Sequence, residues 1–291
     1  MIQPQHIYIL TYYISLVKQL VLIIGASSGI GAKTYELCSR YDEISVVGVA
    51  RRKRELDILQ NKWGGTVYQG NVTDEESINT IMKTTDPSQY ERFSVLYCAG
   101  LHEESTITDN GVKRFVTRED FSAESGPYAH DVETKTRTVN VEGVKIVAQA
   151  LTKNMPSPCN IDFTYISSRV AENPSHWSVL GNPFYAEQKA DAETILHSYI
   201  HTPLRIRILR FGLVGETMGK QVLTSLQGVD PSVHQENNLS LPLKPYKELV
   251  LPLRVLCQDI VSLLRGGEHH FVYSGKNTYT YALSPREAHN L

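Results

Sequence analysis

The sequence predicts an α/β protein built as one domain on a doubly wound parallel sheet. Three observations carry that prediction. From Lys18 onward, short apolar runs alternate with helical patterns. The runs are continuously apolar, as strands covered on both faces require. A glycine-rich loop, "GASSGIG" (25 to 31), joins the first run to the first helical pattern. Right-handed crossovers between parallel strands then place helices on both sides of the sheet.

The elements follow in order. "QLVLIIG" (19–25) reads as a buried strand and "IGAKTYELCSRY" (30–41) as a helix. "ISVVGVA" (44–50) is a second strand, "ELDILQNKW" (55–63) a helix and "GTVYQGNV" (65–72) a third strand. "DEESINTIMKTT" (74–85) is a helix with Thr73 placed to cap it. "FSVLYCAG" (93–100) is a fourth strand and "VNVEGVKIVAQALTKNM" (139–155) a long helix. "NIDFTYISS" (160–168) is a strand. Asn182 caps and Pro183 opens a helix over 183–200. "RIRILRFG" (205–212) is a strand, 253–267 a helix and "HHFVYSG" (269–275) a last strand. Two long segments, 101–138 and 215–250, interrupt the rhythm after strand ends. In such a sheet that edge binds ligands.

Composition narrows the function. The chain has 291 residues, 41% hydrophobic and 21% charged, with a formal net charge of −2. No basic face is available for nucleic acid. Cys38, Cys98, Cys159 and Cys257 are widely spaced, without a C-x-x-C, and fit reduced thiols in a cytoplasmic protein. No metal site is expected. His269 and His270 would point to opposite faces of a strand. The apolar stretch at 6–17 is too short to span a bilayer and has no basic leader, so it is read as an extra strand or helix packed on the domain, part of an N-terminal extension of residues 1–17, with an over-long, largely disordered gene start as the alternative. No membrane association is expected.

Gly25, Gly29 and Gly31 stand between a strand and a helix in the first βαβ unit, the context in which such glycines cradle a pyrophosphate. The second strand ends in Ala50-Arg51-Arg52, with no acid to meet a ribose 2′-hydroxyl. Arginine there suits a 2′-phosphate, so NADP(H) is expected over NAD(H), with Arg51 as first choice and Arg52 in support.

"FYAEQKADAE" (184–193) places Tyr185 and Lys189 four residues apart on a helix. With 16 tyrosines in the chain, about one such pair arises by chance. None of the other tyrosines has a lysine four residues on, and this pair follows a phosphate loop.

Taken together, these motifs resemble the short-chain dehydrogenase/reductase family over roughly residues 18–220. "GASSGIG" matches its glycine loop (Gly25, Ser27, Ser28, Gly29, Ile30, Gly31), with Ile24 in place of the usual threonine. "GNVTD" resembles the adenine segment and gives Asn71 and Val72. "YCAG" gives Cys98, Ala99 and Gly100 where Asn-Asn-Ala-Gly is usual. "VNVEG" supplies Asn140, "ISS" supplies Ser168 with Ser167 as competitor, and "YAEQK" supplies Tyr185 and Lys189. "RFGLVGETM" resembles the loop after the sixth strand, with Gly212 and Val214 against the cofactor and Phe211 replacing a proline.

Two stretches are longer than the family pattern, between Gly100 and Asn140 and between Ser168 and Tyr185, where His176 and Trp177 lie. "YAEQKADAETIL" and "ILRFGLVGE" also resemble the extended branch of sugar-nucleotide epimerases and dehydratases.

The resemblance implies a Rossmann fold, bound NADP(H), a small-molecule carbonyl or alcohol substrate and a homodimer or homotetramer. It implies that Tyr185 is the acid/base, that Lys189 holds the nicotinamide ribose and lowers the tyrosine pKa, that Ser168 orients the substrate oxygen, and that Asn140 anchors a water. Cofactor contacts would come from the glycine loop, Arg51, Arg52, Asn71, Val72, Cys98, Ala99, Gly100, Tyr185, Lys189, Gly212 and Val214. The alternatives are a sugar-nucleotide enzyme of the extended branch and an NADP(H)-sensing protein without turnover.

Overall fold

A computed structural model describes residues 18–101, 106–109, 112–115, 133–154, 161–174, 183–215 and 250–281, the two short strands 106–109 and 112–115 and Pro183 by backbone only. Strands β1 (Gln19–Ile24), β2 (Ile44–Ala50), β3 (Thr66–Gln69) and β4 (Arg92–Tyr97) alternate with helices α1 (Gly29–Cys38), α2 (Lys53–Trp63) and α3 (Glu75–Thr84). A hairpin, β5 (Thr106–Asp109) and β6 (Val112–Phe115), follows. Next come α4 (Gly143–Asn154), β7 (Ile161–Ile166), α5 (Pro183–His197), β8 (Leu204–Arg210), α6 (Leu253–Arg265), β9 (Phe271–Gly275) and β10 (Thr278–Tyr281).

Eight strands form one sheet in the order β3-β2-β1-β4-β7-β8-β10-β9. Every neighbouring pair is parallel except β10 and β9. The chain reverses its winding direction at β1, which lies between β2 and β4, and the C-terminal edge there is the crevice in which such sheets take ligands.

The continuously apolar strands do what their pattern demands. In β1, Leu20, Leu22 and Ile24 face a core shared with α3, α4 and α5, while Val21 and Ile23 face one shared with α1, α2 and α6. Each such side chain stabilises the fold by about 1.5–3 kcal/mol when fully buried. At the opposite edge from the crevice, buried Asp162 meets Arg92 at 3.4 Å, Arg205 at 2.7 Å and Arg207 at 3.4 Å, which ties β4, β7 and β8 together.

Three expectations need correction. Thr73 does not cap α3. Asp74 does, its carboxylate accepting from the backbone N–H of Glu76 and Ser77, because a carboxylate at the N-terminus also meets the helix dipole. The helix predicted from residue 139 opens as a π-turn over Thr138–Glu142, preceded by a helical turn at 133–137. The last strand is not 269–275. It is β10, which pairs with β8, and β9 folds back on it as an antiparallel edge. Lys276 (φ 45°) and Asn277 (φ 57°) make the left-handed two-residue turn between them, a geometry that matches strand twist. Tyr273 and Tyr279 pack edge-on across that hairpin at 5.4 Å.

The two long segments leave the crevice edge. The first contains the β5–β6 hairpin. The ends of the second are clasped by a parallel bridge between Val214 and Leu251, with Leu251 N–H donating to Leu213 O at 2.8 Å. Residues 1–17, Cys159, His176, Trp177 and Asn182 lie outside the described residues. No helix among the described residues is long and apolar enough to cross a membrane.

Candidate active site

The glycine loop is shaped by backbone contacts. Gly25 has φ 92°, and a Cβ there would stand 2.6 Å from Ala99 N. A Cβ on Gly31 would stand 2.3 Å from Gly25 O. Both positions exclude any side chain, so the loop folds tightly over the end of β4. Gly25 and Ala26 N–H both donate to Val49 O, fixing the loop to β2. Ser28 stands at the N-cap of α1 in extended backbone but makes no side-chain cap, so the helix opens without a carboxylate or hydroxyl over its first amides. Such an end is a ready site for a phosphate.

At the end of β2 the two arginines differ. Arg52 donates to Ser27 Oγ from Nε at 3.2 Å and Nη2 at 3.0 Å, reaching back to the glycine loop. Arg51 is exposed, and its backbone carbonyl accepts from Gln69. The sequence favoured Arg51; the contact with the loop is made by Arg52. Asn71 accepts from Thr73 N–H and shapes the turn after β3, and Val72 is buried where Gly143 leaves room for it. Cys98, Ala99 and Gly100 leave β4 beside Gly25, each partly exposed. Gly212 is exposed just past β8, and Val214 is buried at the clasp.

Helix α5 carries Tyr185 and Lys189 on one side, with Lys189 Nζ 5.7 Å from the centre of the Tyr185 ring. Lys189 is 4% exposed; its Nζ donates to Ile166 O at 2.9 Å and lies 4.8 Å over the ring of Tyr165. Burial pulls its pKa down to about 8, against the opposing pull of Glu193 and Cys98. Burial likewise pushes Tyr185 up to about 12, so its hydroxyl is protonated at neutral pH.

The two serines after β7 part company. Ser167 is buried and donates its hydroxyl to Glu193. Ser168 is half-buried and caps the short 3-10 helix Arg169–Glu172, accepting from Val170 N–H, which leaves its own proton for another acceptor. Strand alternation sends neighbours to opposite faces, and only Ser168 is open to solvent. Asn140 sits in the π-turn. Its Oδ1 accepts from Leu101 N–H at 2.8 Å, and its Nδ2 donates to Leu101 O and to Gln188 Oε1, each at 2.9 Å. Both amide protons are thereby spent within the protein, and Asn140 locks the chain leaving β4 onto α5. A Cβ on Gly100 would lie 3.5 Å from Asn140 Oδ1 and 4.0 Å from Lys189 Nζ, so the ends of β4, the π-turn and α5 meet at one point.

Sequence reasoning missed four residues of this neighbourhood. Gln188 bridges Asn140 and Thr136; Tyr165 lies under the Lys189 ammonium; buried Glu193 is ion-paired with half-buried Arg210. The signal for Glu193 was present, since it stands four residues past Lys189 on the same helix face. Tyr165 gave none, being one aromatic in an apolar strand. Among the described residues no group of three His, Cys, Asp or Glu could hold a metal ion.

No family model and no curated protein matches the sequence. Solved structures do resemble its fold. One is a short-chain dehydrogenase/reductase from Saccharomyces cerevisiae, 14% identical, with TM-score 0.64 over 90% of this chain and 96% of that one. Another is the closed form of a serine dehydrogenase complexed with NADP+, 17% identical, with TM-score 0.61 over 90% and 93%. A third is a short-chain type dehydrogenase/reductase from Mycobacterium ulcerans, 19% identical, with TM-score 0.59 over 84% and 82%. The chain thus has the fold of short-chain dehydrogenase/reductase structures.

Proposed function

We propose that this protein is an NADP(H)-dependent oxidoreductase of the short-chain dehydrogenase/reductase type, acting between nicotinamide and a small carbonyl or secondary alcohol. The observation that carries the reading is the convergence of a backbone-shaped phosphate loop with Tyr185, Lys189 and Ser168 along one sheet edge. A neighbour of the same fold was solved with NADP+, and an alcohol dehydrogenase from Thermococcus sibiricus, 19% identical, with 5-hydroxy-NADP.

The residues fit a dinucleotide. Gly25 and Gly31 give the cradle that a Cβ would fill, and the uncapped start of α1 takes the pyrophosphate. Ser27 with Arg52, and Arg51 beside them, take the 2′-phosphate. Asn71, Val72, Cys98, Ala99, Gly100, Gly212 and Val214 line the remainder. When bound, NADPH supplies the hydride. The chain supplies the proton and the geometry. Tyr185, protonated at neutral pH, donates its hydroxyl proton to the substrate oxygen; in the reverse direction its phenolate accepts one. Lys189, held by Ile166 O and the Tyr165 ring, keeps two N–H donors for the ribose and places positive charge beside the phenolate. Ser168 donates to the same substrate oxygen and steadies the charge that develops there.

The test is NADPH oxidation against a panel of ketones and aldehydes, with Tyr185→Phe alongside. Turnover is expected to fall about 10²-fold or more in the variant with NADPH affinity unchanged. Equal turnover would remove Tyr185 from the mechanism. Tightly held cofactor with epimerase or dehydratase turnover would move the assignment to sugar nucleotides.

A further inference from the structure

We infer that Glu193 is a positioning residue for this reaction, tying the loop that carries Ser168 to α5 and keeping Lys189 in its ammonium form. The inference rests on the proposed function and names a residue outside the motifs that suggested it.

Glu193 is 3% exposed. A carboxylate buried that far survives only with bonds to its oxygens. Two groups provide them. Ser167 donates its hydroxyl to Oε1. Arg210 donates Nε to Oε1 at 2.9 Å and Nη2 to Oε2, a forked pair whose geometry fixes both partners. Arg210 also reaches Glu172 of the short 3-10 helix at 3.8 Å. One side chain of α5 therefore fastens the end of β7, the end of β8 and, through Arg210, the helix that Ser168 caps. The backbone agrees: Ser167 N–H donates to Leu209 O and Arg169 N–H to Phe211 O, so residues 167–169 run on alongside β8. Ser168 has its neighbours on both sides pinned, and its own side chain stays half-exposed.

The second half of the role is electrostatic. Lys189 stands one turn before Glu193 on the same face of α5. The groups around the carboxylate and the ammonium are Tyr165 of β7 and Ser167 just past it, Arg210 of β8 with Glu172 of the 3-10 helix behind it, Cys98 just past β4, and Lys189 and His197 of α5. With Arg210 and Lys189 positive and Glu172 and Glu193 negative, the cluster is neutral when His197 is neutral. Removing the Glu193 charge leaves a positive excess against a buried ammonium that donates to one backbone carbonyl, Ile166 O. Its proton then comes off at lower pH.

A merely structural ion pair would affect stability alone, so the test reads Lys189 directly. Acetic anhydride labelling of Lys189, followed by mass spectrometry across pH, gives its titration midpoint without substrate. The wild-type midpoint is expected at about 8. In Glu193→Gln it should fall by about one pH unit, and Glu193→Asp should restore part of the shift. The alkaline limb of the NADPH-dependent kcat should move by the same amount. An unchanged Lys189 midpoint in folded Glu193→Gln overturns the inference. Should that variant not fold, Ser167→Ala decides: it keeps the carboxylate and is expected to lower kcat severalfold with the NADPH KM and the Lys189 midpoint unchanged. Unchanged kcat there overturns the inference too. A wild-type protein that reduces no carbonyl compound refutes the proposed function instead, while the labelling midpoints still read.

Discussion

The two halves of the site are made of different material. The nucleotide half, between β1 and α1, is made of backbone: glycines that admit no Cβ, a helix start without a side-chain cap, and a carbonyl that fastens the loop to β2. The reacting half, around the start of α5 and the end of β7, is made of side chains: a buried ammonium, a buried carboxylate, a tyrosine and two serines facing opposite ways. A backbone site is specified by shape and fails when anything is added to it. A side-chain site is specified by charge and fails when anything is taken away. The two halves should therefore respond to opposite kinds of substitution.

The largest effect is expected from adding one carbon to the first half. Gly31→Ala would set a Cβ 2.3 Å from Gly25 O, so the loop must open. NADPH binding by fluorescence titration should be lost, and urea unfolding should show a cost of about 1–3 kcal/mol or more. Next is the removal of the ammonium from the second half. Folded Lys189 gives up its proton at about 8 while an unfolded lysine holds it to 10.5. Between those values the unfolded chain binds more protons, so this group makes the folded state gain stability as pH rises through that window. Lys189→Met should flatten that rise in denaturant midpoints measured from pH 7 to 11; the same slope in both proteins would show that Lys189 keeps an ordinary pKa.

A smaller effect tests the boundary between the halves. Arg52→Ala should raise the NADPH dissociation constant about tenfold and leave that of NADH unchanged, the loss of one charge-assisted contact at an exposed site. If Arg51→Ala gives the larger change, the 2′-phosphate lies on the other arginine. The smallest effect lies outside both halves. Asp74→Ala removes the cap of α3 and should cost about 1 kcal/mol in urea unfolding with catalysis intact.

The nucleotide half was legible because backbone sites leave glycines at fixed offsets, and Gly25 and Gly31 stand where those offsets put them. The strands were legible for a similar reason: Leu20 to Ile24 must be apolar on both faces. Tyr185 and Lys189 could be paired by helix periodicity. Their supports could not be read so easily. Tyr165 reaches Lys189 only because β7 and α5 pack together, and Gln188 reaches Asn140 across 48 residues of chain. The choice between Ser167 and Ser168 turns on which face of a strand end is buried, which adjacent identical residues do not encode. The β9–β10 hairpin escaped notice because its turn is Lys276-Asn277 rather than a glycine pair.

The π-turn at Thr138–Glu142 bears on which lengths of chain this protein tolerates. Such a turn holds one residue more than an α-turn. Deleting Val139 would let it close as ordinary helix and rotate everything before it by about 100° relative to α4. Thr136 would swing away from Gln188, and with it one of the bonds that hold α5 in place. A residue lost from the exposed turn at Ser88–Gln89 would shorten a surface loop and little else. Near Asn140 the chain is therefore intolerant of deletion even where it tolerates substitution.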